Sequence, residues 1–299
     1  MAYRPTLRQM DYLLVLADVK NFTDAAEQCN VTQSTLSAGI GELEANLGLT
    51  LVERDRRFIG LTSEGQEIAN RAREVLTLTD DMVGYAASRQ APLTGRVNLG
   101  AIPTIGPFLL PQLVSSLHDN YPSLDLDLLE GKSNEQVAWL LSGKIDVSIL
   151  AFPYPTKGLE VEIITTDPMY LLVSENSPLS KRKHINNDEL VGEELLLLAD
   201  GHCLRDHALG VCKLPGIARP DGYEGTSLLT LALMVGMGRG YTLIPEMAVK
   251  SNVNLGSGVK AIPFGDKNEG RQIGLAWRKS SPRGDEFRLL ANEIKNLMP

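Results

Sequence analysis

The stretch NFTDAAEQCNVTQSTLSAGIGELEANLG, Asn21 to Gly48, holds two helical patterns separated by a short break. Thr23 is placed to cap a short helix through Ala25, Ala26 and Cys29, and Asn30 suits its end. Thr32 can cap a second helix, on which Leu36, Ile40, Leu43 and Leu47 share one apolar face. Two short helices joined through Asn30-Val31-Thr32 match a helix-turn-helix. Upstream, Leu7, Met10, Leu13, Leu14 and Leu16 give a further helix. Downstream, TLVERDRRFIGLTSEG alternates as a β-hairpin would and carries Arg54, Arg56 and Arg57, which reads as a wing.

In such a unit the second helix enters the major groove and its first turn reaches base edges and phosphates. Here that turn offers Thr32, Gln33, Ser34 and Thr35, with Ser37 one turn on. Glutamine can bond adenine with two hydrogen bonds, and hydroxyls bond bases or phosphate. The three wing arginines suit phosphate or minor-groove contacts. Charge argues the other way. The chain carries a formal charge of −8, and residues 1–65 hold six basic against nine acidic side chains. Distribution decides the matter, because Thr32–Gly41 is neutral and the arginines cluster in the wing. Binding to a polyanion then calls for a dimer or tetramer that supplies several wings. A helical module that binds protein is the bland alternative.

From Ser63 to Ser88 a longer helix is expected, with Ile68, Ala72, Val75, Thr79, Met82 and Ala86 forming a seam for a partner helix. Packing on its own domain would explain the same seam. Pro92–Gly95 reads as a linker. Beyond it GRVNLGAI, LDLDLLE and DVSILAF are strand-like, and the segments between them are helical. This βαβαβ order predicts an α/β fold with a mostly parallel sheet covered by helices. A second α/β unit runs through YLLVSE, ELLLLAD, SLLTLALMVGMG and YTLIPE, and RQIGLAWRKS with a last helix returns to the first. The expected domains are 1–62, a winged helix-turn-helix; 63–92, a dimerisation linker helix; and 93–299, an effector domain. The effector domain divides into one subdomain of about 96–165 and 270–299 and another of about 166–269.

The chain's 299 residues, 43% hydrophobic and 22% charged, fit a soluble globular protein of several domains. No apolar run approaches the roughly 18 residues of a membrane span, and the charged N-terminus lacks a signal-peptide pattern. Three cysteines are too few for a disulfide scaffold and point to a reducing cytoplasm. Cys29 reads as core, and His118 and His184 as surface.

Cys203 and Cys212 lie nine positions apart in GHCLRDHALGVC. As a metal site, His202, Cys203, His207 and Cys212 would be the ligands, but their spacing lacks the close cysteine knuckles of structural zinc. As ordinary buried thiols they leave the polar cluster around Cys203 unexplained. A redox pair explains more. Asp200 as N-cap would place Gly201, His202 and Cys203 in the first turn of a short helix ending near Gly210. Free N–H groups and the dipole there favour an accessible, low-pKa thiolate, aided by Arg205 and His202. Such a thiolate attacks peroxide to give sulfenic acid, and a second thiol resolves it. Nine residues of helix span about 13.5 Å, whereas a disulfide needs Cα atoms within about 7 Å. A helix here would have to unwind before the bond could form.

The first domain resembles that of LysR-type transcriptional regulators. The resemblance is carried by Phe22-Thr23-x-Ala25-Ala26-Glu27, Val31-Thr32-Gln33-Ser34-x-Leu36-Ser37, Ile40-x-x-Leu43-Glu44-x-x-Leu47-Gly48, Leu51, Glu53-Arg54 and Leu61-Thr62-x-x-Gly65. It implies double-stranded operator DNA as partner, a periplasmic-binding-protein-like effector domain, homodimers or homotetramers, and RNA polymerase as a further partner. The second half is similar to the OxyR-type peroxide sensors of that family, through Ile102-Pro103-Thr104-x-Gly106-Pro107-x-Leu109-Leu110-Pro111, Asp200 to Asp206 with Cys212, Thr226-Ser227-Leu228 and Ile244-Pro245. That likeness implies a hydrogen-peroxide-responsive regulator without a cofactor and without enzymatic turnover. It would be switched by a Cys203–Cys212 disulfide and recycled by a cellular thiol reductant. The same likeness assigns Thr104, Ser133, His202, Arg205, Asp206 (through a water) and Arg271 to the peroxide pocket. Two departures stand out: Ala38-Gly39 and Gly41 replace the bulkier polar residues usual on the reading helix, and Ser133 stands where threonine is common. A LysR-type regulator that binds a small carboxylate-like effector in the cleft is the alternative function, and a dedicated thiol peroxidase a more distant one.

Overall fold

The computed structural model of the chain describes residues 3–55, 58–88, 91–186, 190, 194–212, 224–225, 227–251, 253–265 and 270–298. Two compact units emerge, one of Met1–Ala86 with Ser142–Lys144 and one of Ala87–Leu141 with Ile145–Pro299. Among the described residues no helix is long and apolar enough to cross a membrane.

The first unit opens with α1 (Leu7–Val19), α2 (Phe22–Gln28) and α3 (Gln33–Leu47). A capping box starts α1, with Thr6 Oγ1 accepting from Gln9 N and the Gln9 side chain accepting from Thr6 N. The cap of α2 is Asn21, not Thr23. Asn21 has the extended backbone a cap needs, and its Oδ1 accepts from Thr23 N at 2.8 Å, so Thr23 falls inside the helix. Thr32 caps α3 as expected, and Leu36, Ile40 and Leu43 are buried against Leu13, Leu16, Ala25 and Ala26. Cys29 is half-buried at the end of α2, at the margin of that core and not within it.

The wing follows as an antiparallel hairpin of β1 (Val52–Asp55) and β2 (Phe58–Leu61). The 26-residue α4 (Ser63–Ser88) comes next. Their junction depends on a close backbone approach. A Cβ on Gly65 would lie 2.0 Å from the Leu51 carbonyl oxygen, so only glycine fits. Thr62 holds the same corner, its hydroxyl donating to Thr50 O and accepting from Gly65 N. Ala69 and Ala72 on α4 are buried, whereas Val75, Leu78, Met82, Val83 and Tyr85 are exposed.

In the second unit, β3 (Gly95–Ala101), α5 (Gly106–Asn120), β4 (Leu124–Glu130), α6 (Ser133–Ser142) and β5 (Val147–Phe152) form the first βαβαβ run. β3 pairs in parallel with both β4 and β5. Then β6 (Leu159–Ser174) runs through both lobes of the unit as a single 16-residue strand. After it come β7 (Leu197–Leu198), α7 (Cys203–Cys212), β8 (Glu224–Gly225), α8 (Leu228–Gly236), β9 (Thr242–Pro245), α9 (Glu246–Lys250) and β10 (Val259–Pro263). β11 (Gly270–Arg278) returns between β5 and β6, antiparallel to each, and α10 (Gly284–Leu297) ends the chain. The sheet order is β10-β6-β11-β5-β3-β4, with β9 also on β6. The early part of β6 pairs with β11, and its last residues, Met169–Ser174, pair with β9 and β10.

Each lobe has its own core. One gathers Leu99, Leu113, Val147, Ile149, Ile273, Leu275 and Phe287; the other gathers Leu171, Leu196, Leu231, Val235, Leu243 and Ile262. Helix α7 lies between them. Its Cys203 belongs to the first core, while the next residue, Leu204, and Ala208 one turn on belong to the second.

Candidate functional site

Two places gather polar groups, one in each unit. In the first unit, Thr32, Gln33, Ser34 and Thr35 are exposed around the start of α3, and Ser37 is half-buried. The Thr32 hydroxyl accepts from Thr35 N and lies within hydrogen-bonding distance of the Ser34 and Thr35 hydroxyls, 2.9 and 2.8 Å away. Three side-chain oxygens are thereby arranged at one end of the helix, together with its free N–H groups. Arg54 occupies β1 opposite Ile59; Arg56 and Arg57 lie outside the described residues.

In the second unit Cys203 is the first residue of α7 and only 3% exposed. Asp200 is not the cap, because the helix starts two residues later than expected. Its carboxylate instead pairs with Arg205 Nε at 3.0 Å, and Arg205 Nη1 donates to Leu198 O. Lys132 Nζ donates to Asp200 O at 3.0 Å, so two cations hold the turn that precedes α7. The helix also runs past Gly210, to Cys212. The side chain of Cys212 lies outside the described residues. Along α7 the two cysteines are separated by about 13.5 Å of axis, beyond the reach of a disulfide while the segment is helical.

Behind Cys203 lies a buried charged pair. Arg271 on β11 faces Asp167 on β6 across the register of the two strands. The guanidinium donates twice to Asp167 Oδ2, at 3.0 and 3.1 Å, and reaches Thr104 Oγ1 at 2.8 Å and Thr104 O at 2.9 Å. Asp167 Oδ1 accepts from Met247 N. Burial pushes the Asp167 carboxyl above the usual carboxylate value, and Arg271 opposes that rise. Ser133, 1% exposed, opens α6 beside the thiol, and its hydroxyl makes no complete hydrogen bond among the described residues.

An accessible, low-pKa thiolate is not what this arrangement produces. Burial drives the Cys203 thiol above its ordinary value; the Arg271 charge, the Ser133 hydroxyl and the Leu204 N–H pull it down, and Asp206 adds to the rise. Desolvation of the charged form outweighs the helix start, so the resting group is a thiol at neutral pH. The cation acting on it is Arg271, and Arg205 is committed to the preceding turn. His202 is buried and lowered in pKa, first by burial and then by the Lys132 charge, so it adds no positive charge.

Thr104, Ser133, Cys203 and Arg271 thus converge, while Asp206 is exposed and acts through its charge. Sequence reasoning missed three groups here. Asp167 has no local signal, being 104 residues from its partner. Tyr154 is pushed up in pKa by burial, then by the charges of Cys203 and Asp206. His207, considered only as a metal ligand, stands one helical turn after Cys203, and that spacing was the available clue. His118 and His184 are exposed. Among the described residues no cluster of three histidine, cysteine or acidic side chains is placed to hold a metal.

Two family models match the chain. The bacterial regulatory helix-turn-helix protein, lysR family, covers residues 7–66, and the LysR substrate binding domain covers residues 90–299. The HTH-type transcriptional regulator EstR of Acinetobacter baylyi is 38% identical over 99% of this chain and 98% of its own. The hydrogen peroxide-inducible genes activator of Dickeya chrysanthemi is 36% identical over 98% of this chain and 95% of its own. Among solved structures, a variant of full-length OxyR from Pseudomonas aeruginosa superposes with a TM-score of 0.80 at 32% identity, covering 98% of this chain and 95% of that one.

Proposed function

The chain belongs to the LysR family of bacterial helix-turn-helix regulators, as a homologue of the OxyR peroxide-inducible activators, and we propose that it senses hydrogen peroxide. The observation that carries this reading is the placing of Cys203 and Cys212 at opposite ends of one helix, with Ser133 and the Thr104–Arg271 pair at the buried end. Cys203 sulfur attacks one peroxide oxygen, the O–O bond breaks, and the thiol becomes sulfenic acid with release of water. The Cys212 thiol then displaces the sulfenic oxygen as a second water, leaving a disulfide. Two electrons pass from sulfur to peroxide at the first step.

Closing that disulfide requires α7 to melt between its ends. Loss of a packed helix between two lobes is a two-state change. Through the dimer it alters the spacing of the DNA-reading heads. The exposed Leu78, Met82 and Val83 on α4 support a partner helix there, within a homodimer or homotetramer. Operator DNA is met by Thr32, Gln33, Ser34, Thr35 and Ser37 with the wing arginines Arg54, Arg56 and Arg57. RNA polymerase is the downstream partner, a cytoplasmic thiol reductant resets the switch, and one peroxide is spent per switch without turnover. A second reading, a small effector bound between the lobes, is supported by the match of residues 90–299 to the LysR substrate binding domain.

The deciding experiment treats pure reduced protein with a brief stoichiometric pulse of peroxide, alkylates the remaining thiols and maps the peptides by mass spectrometry. A Cys203–Cys212 crosslink that is lost in Cys203→Ser supports the sensor. Two free thiols refute it and direct attention to effector screening.

A further inference from the structure

We propose that His207 carries the proton in the first step of peroxide reduction, taking it from the Cys203 thiol by way of the bound peroxide and returning it to the departing hydroxide. The inference rests on the peroxide-sensing reading above. His207 is four residues beyond Cys203 on α7, and long side chains on a helix lean toward its N-terminus, over the preceding turn. Its Nε2 bonds the Pro153 carbonyl oxygen at 3.2 Å. A carbonyl only accepts, so Nε2 carries the hydrogen, and in the neutral ring Nδ1 keeps its lone pair. That Nδ1 is buried and has no hydrogen-bond partner among the described residues.

His207 shares charged neighbours with the thiol. Arg271 and Asp206 act on both His207 and Cys203, and Tyr154, beside the Pro153 anchor, is coupled to Cys203 and Asp206 when those groups ionise. Burial is the main cause that lowers the His207 pKa; the Pro153 bond opposes it, Arg271 adds to it and Asp206 opposes it, so the ring is neutral at rest.

The chemistry calls for such a group. Cys203 is a buried thiol, whereas the attacking species is the thiolate, and hydroxide leaves poorly without a proton. Arg271 cannot release a proton, and the Thr104 and Ser133 hydroxyls can donate hydrogen bonds but do not take up a proton near neutral pH. His202 is coupled instead to Lys132 and Glu135. The Asp206 carboxylate is exposed. An imidazole with a free lone pair both takes and gives a proton near neutral pH. The thiol proton passes to Nδ1 through the near peroxide oxygen, the S–O bond forms as the O–O bond breaks, and Nδ1–H protonates the leaving hydroxide. The sum is thiol plus hydrogen peroxide to sulfenic acid plus water, with the ring neutral again.

The test follows Cys203 oxidation in full-length reduced protein by rapid quench with a sulfenic-acid trap, from pH 5 to 8, in wild type and His207→Gln. Glutamine keeps a donor for Pro153 O but carries no proton to and fro. The expected result is a wild-type rate that falls toward acid pH and a variant about 100-fold slower, the low end of general acid–base contributions, without that pH limb. A variant as fast as wild type with the same profile overturns the proposal. So does a wild-type rate flat across the range, whatever the fate of the variant. A wild-type Cys203 that never oxidises is a different failure, that of the peroxide reading itself.

Discussion

Replacing Ser133 by alanine should stabilise the second unit while blunting its chemistry. The Ser133 side chain is 1% exposed, and its hydroxyl makes no complete hydrogen bond among the described residues. A buried hydroxyl without a bond costs about 1–3 kcal/mol by mutational measure. Its pull on the Cys203 thiol recovers part of that. Alanine keeps the Cβ, so the vacated space is that of one oxygen and the cavity cost is small. The net gain expected for Ser133→Ala is about 1 kcal/mol, which for a unit of this size raises Tm by about 2–4 °C. Urea unfolding of the reduced protein followed by near-ultraviolet circular dichroism reads the first quantity, and quenched peroxide oxidation of Cys203 reads the second. The rate should fall at least tenfold, because a donor facing the reacting sulfur is lost. Unchanged or reduced stability in Ser133→Ala would refute the reasoning, since the hydroxyl would then be satisfied in the folded state. A stability gain with an unchanged rate would remove Ser133 from the chemistry.

Two further outcomes follow from the buried charges. Arg271→Met leaves the Asp167 carboxyl buried and unpaired and the Thr104 hydroxyl without its donor, so a loss of about 3–5 kcal/mol is expected in denaturant titrations. In the same variant the pH midpoint for Cys203 alkylation should rise, because Arg271 now pulls that thiol down. The acid side of the stability curve reports the histidines. Burial holds both His202 and His207 below their ordinary pKa, so below about pH 6.5 the unfolded chain binds protons that the folded chain refuses. Stability is then full above that pH and falls as the pH drops through it, by at most about 1.4 kcal/mol per pH unit for each histidine. His202→Gln or His207→Gln should each flatten the slope in urea titrations between pH 6.5 and 5, and an unaltered slope would show that neither ring is held neutral by folding.

The helix-turn-helix and the α/β order were legible because their signals are local. An apolar face such as Leu36, Ile40 and Leu43, or a cap such as Thr32, depends on residues within a few positions of one another. Where local rules allow two answers, the backbone chose. Asn21 and Thr23 can both cap, and only Asn21 has the extended φ that lets its oxygen face the first N–H groups. Asp200 satisfies the same rule on paper, yet its carboxylate found Arg205 and the helix began at Cys203.

The site divides in the same way. The sequence alone determined that the two cysteines lie nine positions apart, too far for a disulfide if the segment between them is helical, since spacing and rise per residue are properties of the chain itself. That the helix reaches Cys212 came from the structure. The sequence also placed hydroxyls at the start of the second helix of the helix-turn-helix. The protonation of Cys203 was decided by tertiary structure alone. A helix start favours thiolate, but Cys203 is buried in the first core, and that burial takes away the water that would solvate the charge. The Arg271–Asp167 pair likewise exists only because β11 returns between β5 and β6 in a register that sets those two residues opposite one another. No short-range pattern encodes that meeting, because the field at the thiol depends on which distant strands become neighbours.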